Sequence, residues 1–440
     1  MPKRAKELSV LDLSELKTDG LYSVGGTAGL HLRIAGNSRS WVLRIAVGKR
    51  KNDKGETVVH RRDMGLGSYP EVSITEAREK ARELRGKVKN GIDPLELKKQ
   101  GAEPPCIREA ILSLSKKEDL AYETAETVMN EIMTGKASPV QMSAYLTALS
   151  LKGETIDEIT ASAYSMRRHC IRLLHDEDAL EIVGTGGDGA NTFNISTAAA
   201  IITAAAGIPV AKHGNRSASG KCGAADVLEA LGVNIGIPPE KSAELLKNIG
   251  ICFLFAQNYH IAMKYVAPIR RELAIRTVFN ILGPLTNPAG ARMELMGVYD
   301  RELLEPLARV LCNLGVKSAM LVHGEDGLDE ISLSAPTLVC EAKNGWIRSY
   351  TIKPEQFGFK RCAKSDMEGG SPSENAEILK AVLGGEKGSK RNAAVLNAAA
   401  ALYISGKYES IEDSVKVAEN VIDNGKAISK LNEFIRRSNE

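Results

Sequence analysis

Residues 181–200 read EIVGTGGDGANTFNISTAAA, and this stretch decides how the larger part of the chain folds. The apolar run that ends at Val183 is typical of a buried strand, and the alanines after Thr197 are typical of a helix packed closely on a sheet. Four glycines lie between the two, within residues 184–189. Because glycine tolerates positive φ, such a turn can line a concave anion site with backbone N–H groups, and the following helix adds its dipole.

The glycine-rich turn does not fit the two most familiar phosphate-binding patterns. No Gly-Lys-Ser/Thr follows it, as in a Walker A loop, and it lacks a clean Gly-x-Gly-x-x-Gly fingerprint with a ribose-binding acid. By itself it is equally consistent with a simple tight turn, because tight turns use glycine for the same backbone reason. A functional interpretation therefore depends on what the other strand ends contribute.

The composition is that of an ordinary soluble globular chain, long enough for two or three domains. Hydrophobic residues make up 43% and charged residues 26% of the 440. Seven scattered cysteines without a close pair argue against zinc or dithiol chemistry and favour a reducing cytoplasm. No apolar run reaches the roughly 20 residues of a membrane helix, and no apolar segment follows the basic N-terminus, so neither a membrane partner nor a secretory signal is predicted.

The charge is unevenly distributed along the chain. Residues 1–100 hold 21 Lys and Arg against 13 Asp and Glu, while the remainder holds 37 against 42. In this basic head, the alternating segments LHLRIAG, SWVLRIAVG and HRRDMGLG predict three strands. Ser73 and Glu76 form a capping box that predicts a helix from about Ile74 to Lys89. We therefore expect a small α+β domain with a short antiparallel sheet and one helix.

The head resembles the N-terminal arm-type DNA-binding domain of phage and genomic-island tyrosine integrases. The resemblance rests on GLHLRI, SWVLRI and MGLGSYPEVSITEAREKARELRGKVKNGIDPLELKK. It implies DNA binding by basic strand residues, because clustered cations release the counterions of phosphates. The candidates are Arg44, Lys49, Arg50, Lys51, Arg61 and Arg62. These charges could equally serve only to keep a small domain soluble, and no integrase-like Arg/His/Arg/Tyr set follows the head.

A different pattern begins after the Pro-containing linker GAEPPC, residues 101–106. Four segments predict a helical subdomain over residues 107–178: IREAILSLS, AYETAETVMNEIMTG, PVQMSAYLTALSLKG and TIDEITASAYSMRRHCIRLL. Over residues 179–440, helices alternate with the short apolar segments LEIV, IPVAK, ICFLF, MELMGV and SAMLVH, and the stretch Asn392–Ser438 is helical again. This alternation predicts an α/β domain, with a mainly parallel sheet covered by helices.

Three further segments bring charged side chains to the ends of predicted strands or helices. The groups that they offer are Lys212, Arg216, His260, Arg270, Arg276, Asp326, Asp329 and Glu330. Adjacent carboxylates beside phosphates commonly hold Mg²⁺ with few protein ligands. Each group alone could be a solvated surface charge, but one pocket at this edge of the sheet would collect all of them.

Residues 107–440 resemble the anthranilate phosphoribosyltransferase family, whose members join anthranilate to phosphoribosyl pyrophosphate (PRPP), along essentially the full length of that family. The matching motifs are GTGGD (184–188), TFNIST (192–197), KHGNR (212–216), RTVFNILGPLTNP (276–288) and HGEDGLDE (323–330). The resemblance implies the nucleoside phosphorylase-like phosphoribosyltransferase fold and Mg²⁺ as cofactor. It also implies a homodimer formed through the helical stretch Ile107–Leu151.

The resemblance further implies roles for individual residues. The residues expected to contact PRPP are Gly184, Gly187, Asp188, Thr192, Asn194, Ile195, Ser196, Thr197, Lys212, His213, Gly214, Asn215, Arg216, Ser217, Ala218, Ser219, Gly220 and Ala224. Those expected to contact anthranilate are Gly184, Asn215 and Arg270, and those expected to hold Mg²⁺ are Ser196, Asp329 and Glu330. Lys212 and Arg270 are expected to act in catalysis, in a dissociative displacement without a covalent intermediate.

Two other functions stay open from the sequence. A pyrimidine nucleoside phosphorylase-like enzyme could use the same fold, although the Asp329–Glu330 pair argues against it, because release of pyrophosphate calls for Mg²⁺ and phosphorolysis need not. A DNA-binding protein with an inactive transferase scaffold is the other alternative, and the basic head is the feature that supports it.

Overall fold

The computed structural model describes residues 8, 12, 13, 16, 18–36, 38–51, 57–70, 72–89, 106–217 and 220–440, and it describes the side chains of all of these except 47–51, 57–62, 83 and 86–89. The chain divides into two compact units, Met1–Pro104 and Pro105–Glu440. In the described ranges, no helix is long and apolar enough to cross a membrane.

The first unit contains a four-stranded antiparallel sheet whose strands follow one another in chain order. Its elements are β1 (Gly20–Ser23), β2 (Leu30–Ala35), β3 (Ser38–Lys51), β4 (Thr57–Ser68) and α1 (Ile74–Lys89). The three predicted strands and the predicted helix are confirmed, and β1 is an additional edge strand. The capping box is also confirmed, because the backbone N–H of Ser73 donates to the Glu76 carboxylate at 2.8 Å and the Glu76 N–H donates to the Ser73 hydroxyl at 3.3 Å.

The core of the first unit forms on one face of this sheet. Along β2, Leu30, Leu32 and Ile34 are buried, and they alternate with more exposed residues as expected for a strand with one buried face. Trp41 on β3 is fully buried, and its indole N–H donates to the Val72 carbonyl at 2.7 Å. This bond ties the sheet to the segment that leads into α1.

The second unit begins with four helices. They are α2 (Cys106–Ser115), α3 (Tyr122–Met133), α4 (Pro139–Lys152) and α5 (Ile156–Arg168). The fourth predicted helical segment, which extended to Leu174, is wrong beyond Arg168. There the backbone N–H of Ile171 donates to the Tyr259 carbonyl at 2.9 Å and that of Leu173 to the Pro288 carbonyl at 3.0 Å. Bonds to distant segments replace the helical ones, so local periodicity could not reveal the helix end.

A seven-stranded sheet forms the centre of the second unit. Its strands are β5 (Leu180–Gly184), β6 (Val210–Gly214), β7 (Ile251–Phe255), β8 (Met293–Gly297), β9 (Ser318–Gly324), β10 (Thr337–Lys343) and β11 (Trp346–Ile352). They lie in the order β11–β10–β9–β8–β5–β6–β7. Strands β5 to β9 are parallel, which confirms the mainly parallel sheet, while β10 and β11 are antiparallel and were not predicted. Trp346, at the start of the edge strand β11, is 84% exposed.

Helices cover this sheet. They are α6 (Ile195–Ala205), α7 (Ala224–Ala230), α8 (Pro239–Ile249), α9 (Ala256–Tyr259), α10 (Ala267–Leu273), α11 (Phe279–Leu282), α12 (Leu304–Asn313), α13 (Pro372–Leu383), α14 (Ser389–Ile404), α15 (Ile411–Asp423) and α16 (Lys426–Asn439). Short 3₁₀ turns lie at Ile261–Tyr265, Pro284–Thr286, Arg301–Leu303, Pro354–Phe357 and Lys364–Met367. The helical C-terminal stretch is confirmed as the last three helices.

Two alanine-rich helices, α6 and α14, pack against each other and are buried along most of their length. A helix that is apolar on all sides belongs in a core, and alanine lets such helices approach closely. Strand β5 lies between β6 and β8, so the chain leaves it toward one side of the sheet and later returns on the other. In open α/β sheets, such a reversal opens a crevice at the carboxyl ends of the strands.

Candidate active site

The glycine-rich turn follows β5 as predicted and lies at this crevice. Gly186, Gly187 and Gly189 have φ angles of 67°, 77° and 69°, in the left-handed region that favours glycine. Gly184 is required for a different reason, because a β-carbon there would overlap the carboxylate of Asp329. The Asp329 carboxylate accepts the N–H of Gly186 at 2.7 Å. The turn is therefore folded around an acidic side chain from a distant loop.

That acidic loop follows β9 and presents the adjacent residues Asp329 and Glu330 to the turn. The Glu330 carboxylate accepts the backbone N–H of Ser196, in the first turn of α6, at 3.1 Å. Burial raises the pKa of both carboxyl groups, and the negative charge of nearby Asp188 raises each further. Carboxylates crowded in this way favour a cation between them.

Lys212 on β6 supplies the resident cation. Its ammonium group donates to the Ile182 carbonyl at 2.6 Å and to the Ser196 hydroxyl at 3.3 Å, and the residue is 4% exposed. Burial lowers the pKa of Lys212, while the charges of Glu181 and Glu330 act in the opposite direction. The structure thus brings together five residues that the sequence had selected: Asp188, Ser196, Lys212, Asp329 and Glu330.

Strands β5 and β6 diverge, and the Lys212 side chain reaches the Ile182 carbonyl in the gap between them. The two strands pair only at Leu180 and Val210 and then separate. The Glu181 carboxylate enters the gap and accepts the backbone N–H of His213 at 2.9 Å, and the Asn287 amide donates both to that carboxylate and to the Ala211 carbonyl. Burial raises the pKa of Glu181 to about 7. Hydrogen bonds with the Glu181 and Asn287 side chains therefore replace the backbone hydrogen bonds that β5 and β6 do not make where they diverge. Neither Glu181 nor Asn287 is among the site residues that the sequence predicts.

The donors in the crevice suit a hard cation such as Mg²⁺. In the part of the chain that the structure describes, no three His, Cys, Asp or Glu side chains are grouped so that they alone could hold a metal ion. The Asp329 and Glu330 carboxylates with the Ser196 hydroxyl would supply few protein oxygens, and Mg²⁺ usually keeps several waters and takes further ligands from phosphate. The set therefore fits a metal ion that arrives with an anionic substrate.

Arg276 closes one side of the turn. Its guanidinium lies 3.9 Å from the ring centroid of Tyr299 and donates to the Gly187 carbonyl at 2.9 Å. From the sequence alone Arg276 is a candidate cation without an assigned role. Its position at the start of the RTVFNILGPLTNP motif was the available signal.

Arg270 lies on α10, with its guanidinium 5.7 Å from the ring centroid of Phe279. Burial lowers its pKa. Within the described residues its guanidinium contacts neither the acidic loop nor Lys212, so Arg270 is not joined directly to that group. Its role toward anthranilate stays a prediction.

In the loop after β6, the Arg216 and His213 side chains contact other protein groups. The Arg216 guanidinium pairs with Asp226 at 3.0 Å and with Glu229 at 2.7 Å, so its charge is already matched. His213 is buried with its ring centroid 5.1 Å from that of His260, and burial lowers the pKa of His213 to about 3. Contacts of this loop with an anion would therefore come from backbone N–H groups more readily than from these two side chains.

The other predicted residues of the loop hold its shape. The Ser217 hydroxyl donates to the Gly220 carbonyl at 2.7 Å, and the Asn215 amide oxygen accepts the N–H of Arg216 at 2.8 Å. At Gly214, a β-carbon would lie 3.2 Å from that of Ala224 and 2.9 Å from the Phe253 ring. Ala218 and Ser219 lie outside the described residues.

The TFNIST motif (192–197) forms the rim of the crevice opposite the loop after β6. Helix α13 holds the motif in place through a hydrogen bond from Asn375 to Asn194. The Asn194 side chain donates to the Cys222 carbonyl at 3.2 Å and accepts the Asn375 amide at 2.9 Å, so Asn375 is a support that the sequence interpretation missed. Thr192 forms a β-bridge with Glu368. The Ile195 side chain is buried, and the Thr197 hydroxyl is buried without a partner in the described ranges.

In the head, the structure describes only one of the six basic candidates in full. Arg44 makes a two-pronged ion pair with Asp63, at 2.7 and 2.9 Å, and Arg33 approaches the same carboxylate at 3.2 Å. The side chains of the other five, Lys49, Arg50, Lys51, Arg61 and Arg62, lie outside the described part. The Arg44 charge is therefore largely matched within the domain.

Comparison with known proteins first defines a class. Residues 108–170 match the helical bundle domain of a glycosyl transferase family, and residues 176–428 match the a/b domain of the same family. Residues 6–101 match an arm DNA-binding domain. The second unit is therefore that of a glycosyltransferase.

Full-length relatives define the particular family. Over 333 residues, 76% of this chain, it is 64% identical to the anthranilate phosphoribosyltransferase of Methanobrevibacter smithii and 61% identical to that of Lachnoclostridium phytofermentans, with 99% of each relative covered. The crystal structure of the Thermus thermophilus enzyme is 44% identical and superposes with a TM-score of 0.72, over 77% of this chain and all of that one. The Saccharomyces cerevisiae enzyme in complex with PRPP and Mg is 28% identical, with a TM-score of 0.71, over 77% and 99% of the two chains. The chain belongs to the anthranilate phosphoribosyltransferase family, which confirms the resemblance.

The close approach of the acidic loop to β8 gives a testable prediction. A β-carbon at Gly297 would overlap the Asp329 carbonyl oxygen, whereas one at Gly283 would meet open space in helical backbone. We expect Gly297→Ala to lower the free energy of unfolding by about 1–3 kcal/mol, the usual cost of overpacking. Gly283→Ala is the matched control and should change it by less than about 0.5 kcal/mol. Urea unfolding followed by circular dichroism measures both, and equal stability of the two variants would contradict the prediction.

Proposed function

We propose that the second unit transfers the phosphoribosyl group of PRPP to the amino group of anthranilate, giving N-(5-phosphoribosyl)anthranilate and pyrophosphate in tryptophan biosynthesis. The observation that carries the proposal is the grouping of Lys212, Asp329 and Glu330 around the glycine turn at the carboxyl end of β5. The names of the relatives, and the yeast complex with PRPP and Mg, support the same reaction.

In this proposal, the glycine turn and the two rims of the crevice bind PRPP. Backbone N–H groups of the turn and of the loop after β6 face the phosphates, and Asn194 and Ser196 add polar side chains. Ser196, Asp329 and Glu330 would hold Mg²⁺, which when bound would supply positive charge to the pyrophosphate oxygens. Asp329 and Glu330 are half-buried and accept backbone N–H groups of the turn and of α6, which distinguishes them from ordinary solvated surface charges.

The chain's own residues meet the electrostatic demand of the reaction. When the ribose–pyrophosphate bond breaks, negative charge grows on the leaving group, and the Lys212 ammonium is fixed in advance to stabilise it. Positive charge on the ribose develops as that bond breaks early, as in other sugar transfers. The amino nitrogen of anthranilate is nucleophilic when neutral, so catalysis needs positioning rather than a covalent intermediate or a strong base.

Anthranilate is placed beside Gly184 and Asn215, with Arg270 pairing with its carboxylate. Burial of Arg270 supports this role, because a guanidinium with reduced access to water binds a carboxylate more strongly. Arg271, its neighbour on α10, is exposed and offers a matched comparison.

We expect Arg270→Ala to raise KM for anthranilate about tenfold to a hundredfold, the range for loss of a charge-assisted hydrogen bond, with little change in KM for PRPP. Arg271→Ala should leave both values near those of the wild type. Initial rates measured with each substrate varied in turn give the two constants. A parallel rise in both KM values for Arg270→Ala would refute the assignment of anthranilate to Arg270.

The reaction itself is tested by the loss of anthranilate fluorescence in the presence of PRPP and Mg²⁺. Turnover that needs all three components supports the proposal, and turnover of a pyrimidine nucleoside with phosphate instead would favour the phosphorylase alternative. Repeating the assay without residues 1–104 shows whether the head affects the transferase.

We also propose a homodimer that pairs through the helical subdomain. Its support is a set of exposed apolar side chains on α2 and α4: Leu112, Val140 and Leu151, which are 64%, 79% and 78% exposed. Exposed apolar groups on a helical surface favour burial against a partner. Light scattering separates a dimer from a monomer of 47.4 kDa.

We also propose a cytoplasmic location for the protein. All seven cysteines are free thiols, as expected in a reducing compartment.

For the head, we propose DNA binding as a second activity, supported by its match to an arm DNA-binding domain and by its excess of cations. Its affinity for duplex DNA should fall steeply with salt, with a log–log slope of about −0.9 for each phosphate neutralised. Because Asp63 already matches the Arg44 charge, Arg44→Ala should change this slope little, while Lys49→Ala should reduce it. Fluorescence anisotropy at several salt concentrations measures the slope. A flat salt dependence would leave the head as a solubilising domain.

A further inference from the structure

A buried asparagine on α14, Asn397, is hydrogen-bonded to the backbone of the acidic loop. Asn397 has no exposed surface. Its amide oxygen accepts the backbone N–H of Ile331 at 3.0 Å, and its amide nitrogen donates to the Ile331 carbonyl at 3.1 Å. The same nitrogen donates to the Ala393 carbonyl, one turn earlier on α14, at 3.0 Å. One side chain thus satisfies both backbone groups of the residue that follows Glu330.

This double contact restricts the direction of the Glu330 side chain. Bonds to both the N–H and the C=O of Ile331 fix the peptide groups on its two sides, one of which is the Glu330–Ile331 peptide. On the other side of the loop, the Asp329 main chain lies directly against Gly297, where no β-carbon intervenes. The backbone that carries the two carboxylates is therefore held between α14 and β8.

We propose that Asn397 is a positioning residue for the Mg²⁺–pyrophosphate part of the site, and that it acts through the backbone of Ile331 without touching substrate. This proposal rests on the proposed function, because it assigns Asp329 and Glu330 to the metal. Outer-shell groups that orient metal ligands commonly contribute about tenfold to a hundredfold to metal affinity.

A purely structural role makes a different prediction. Buried backbone groups that lose a hydrogen-bond partner cost free energy, so loss of Asn397 would lower stability even if the loop kept its shape. Leu402, further along α14 and also fully buried, provides the control, because Leu402→Ala weakens the same helix by leaving a cavity without removing a bond to the loop.

The experiment uses the full chain, with Asn397→Leu, Asn397→Asp and Leu402→Ala compared well below their melting temperatures. Isothermal titration calorimetry with Mg²⁺ and inorganic pyrophosphate gives the affinity of the site, and fluorescence assays give the Mg²⁺ concentration for half-maximal rate and the KM for anthranilate. Leucine has a similar shape to asparagine but no polar atoms. For Asn397→Leu we expect the affinity for Mg²⁺-pyrophosphate to fall about tenfold to a hundredfold, and the Mg²⁺ concentration for half-maximal rate to rise by a similar factor. Asn397→Asp keeps an acceptor for the Ile331 N–H and should change both quantities less.

The anthranilate KM should stay unchanged in these variants, and Leu402→Ala should lose stability while keeping the wild-type affinity for Mg²⁺-pyrophosphate. Unchanged affinity in Asn397→Leu, or an equal loss in Leu402→Ala, would overturn the proposal. If the wild type binds Mg²⁺-pyrophosphate without turning over anthranilate, the proposed function fails while calorimetry still decides the role of Asn397. If the wild type does not bind Mg²⁺-pyrophosphate, both fail.

Discussion

The burial of the Lys212 ammonium group is the constraint on which the rest of the active site depends. A charge removed from water is costly unless opposite charges and hydrogen-bond acceptors surround it. Here the acceptors are the Ile182 carbonyl and the Ser196 hydroxyl, and the opposite charges are Glu181 and Glu330. The carboxylates are themselves destabilised by burial, so each charge makes the others tolerable. The charges of Lys212, Glu181 and Glu330 are consequently stable only as a set, and the protein's own contacts order this charge pattern.

This charge set requires unusual packing around β5. Strands β5 and β6 must separate after a single residue pair, and polar side chains must complete the hydrogen bonds that the separation leaves open. On the other side of β5, the acidic loop approaches closely because Gly184 and Gly297 have no β-carbon to overlap Asp329. The alanine-rich helices α6 and α14 then bring the helix start and the loop support close to the strand ends. Backbone, core and site are thus parts of one arrangement.

The sequence predicted most of what depends on local pattern. Five parallel strands, the capped helix of the head and the grouping of Lys212 with the Asp329–Glu330 pair were all recognisable, because each lies in or next to a periodic apolar segment. The β10–β11 hairpin was missed although Asn344 and Gly345, with φ of 49° and 85°, are a common signal for a tight hairpin turn. The pairing of Arg216 with Asp226 and Glu229, and the grip of Asn397 on Ile331, depend on side-chain directions that only tertiary packing sets. No local pattern separates such an arginine from one that faces a phosphate.

The placement of the two tryptophans has a practical consequence for studying a chain with two units. Trp41 is enclosed in the head, whereas Trp346 stands in water at the sheet edge of the transferase. An indole in an apolar interior emits at shorter wavelength than one in water, so each unit carries its own optical signature. Unfolding of the head should therefore shift the tryptophan emission to longer wavelength. Unfolding of the transferase should change the emission wavelength of Trp346 little, because that indole is already exposed to water.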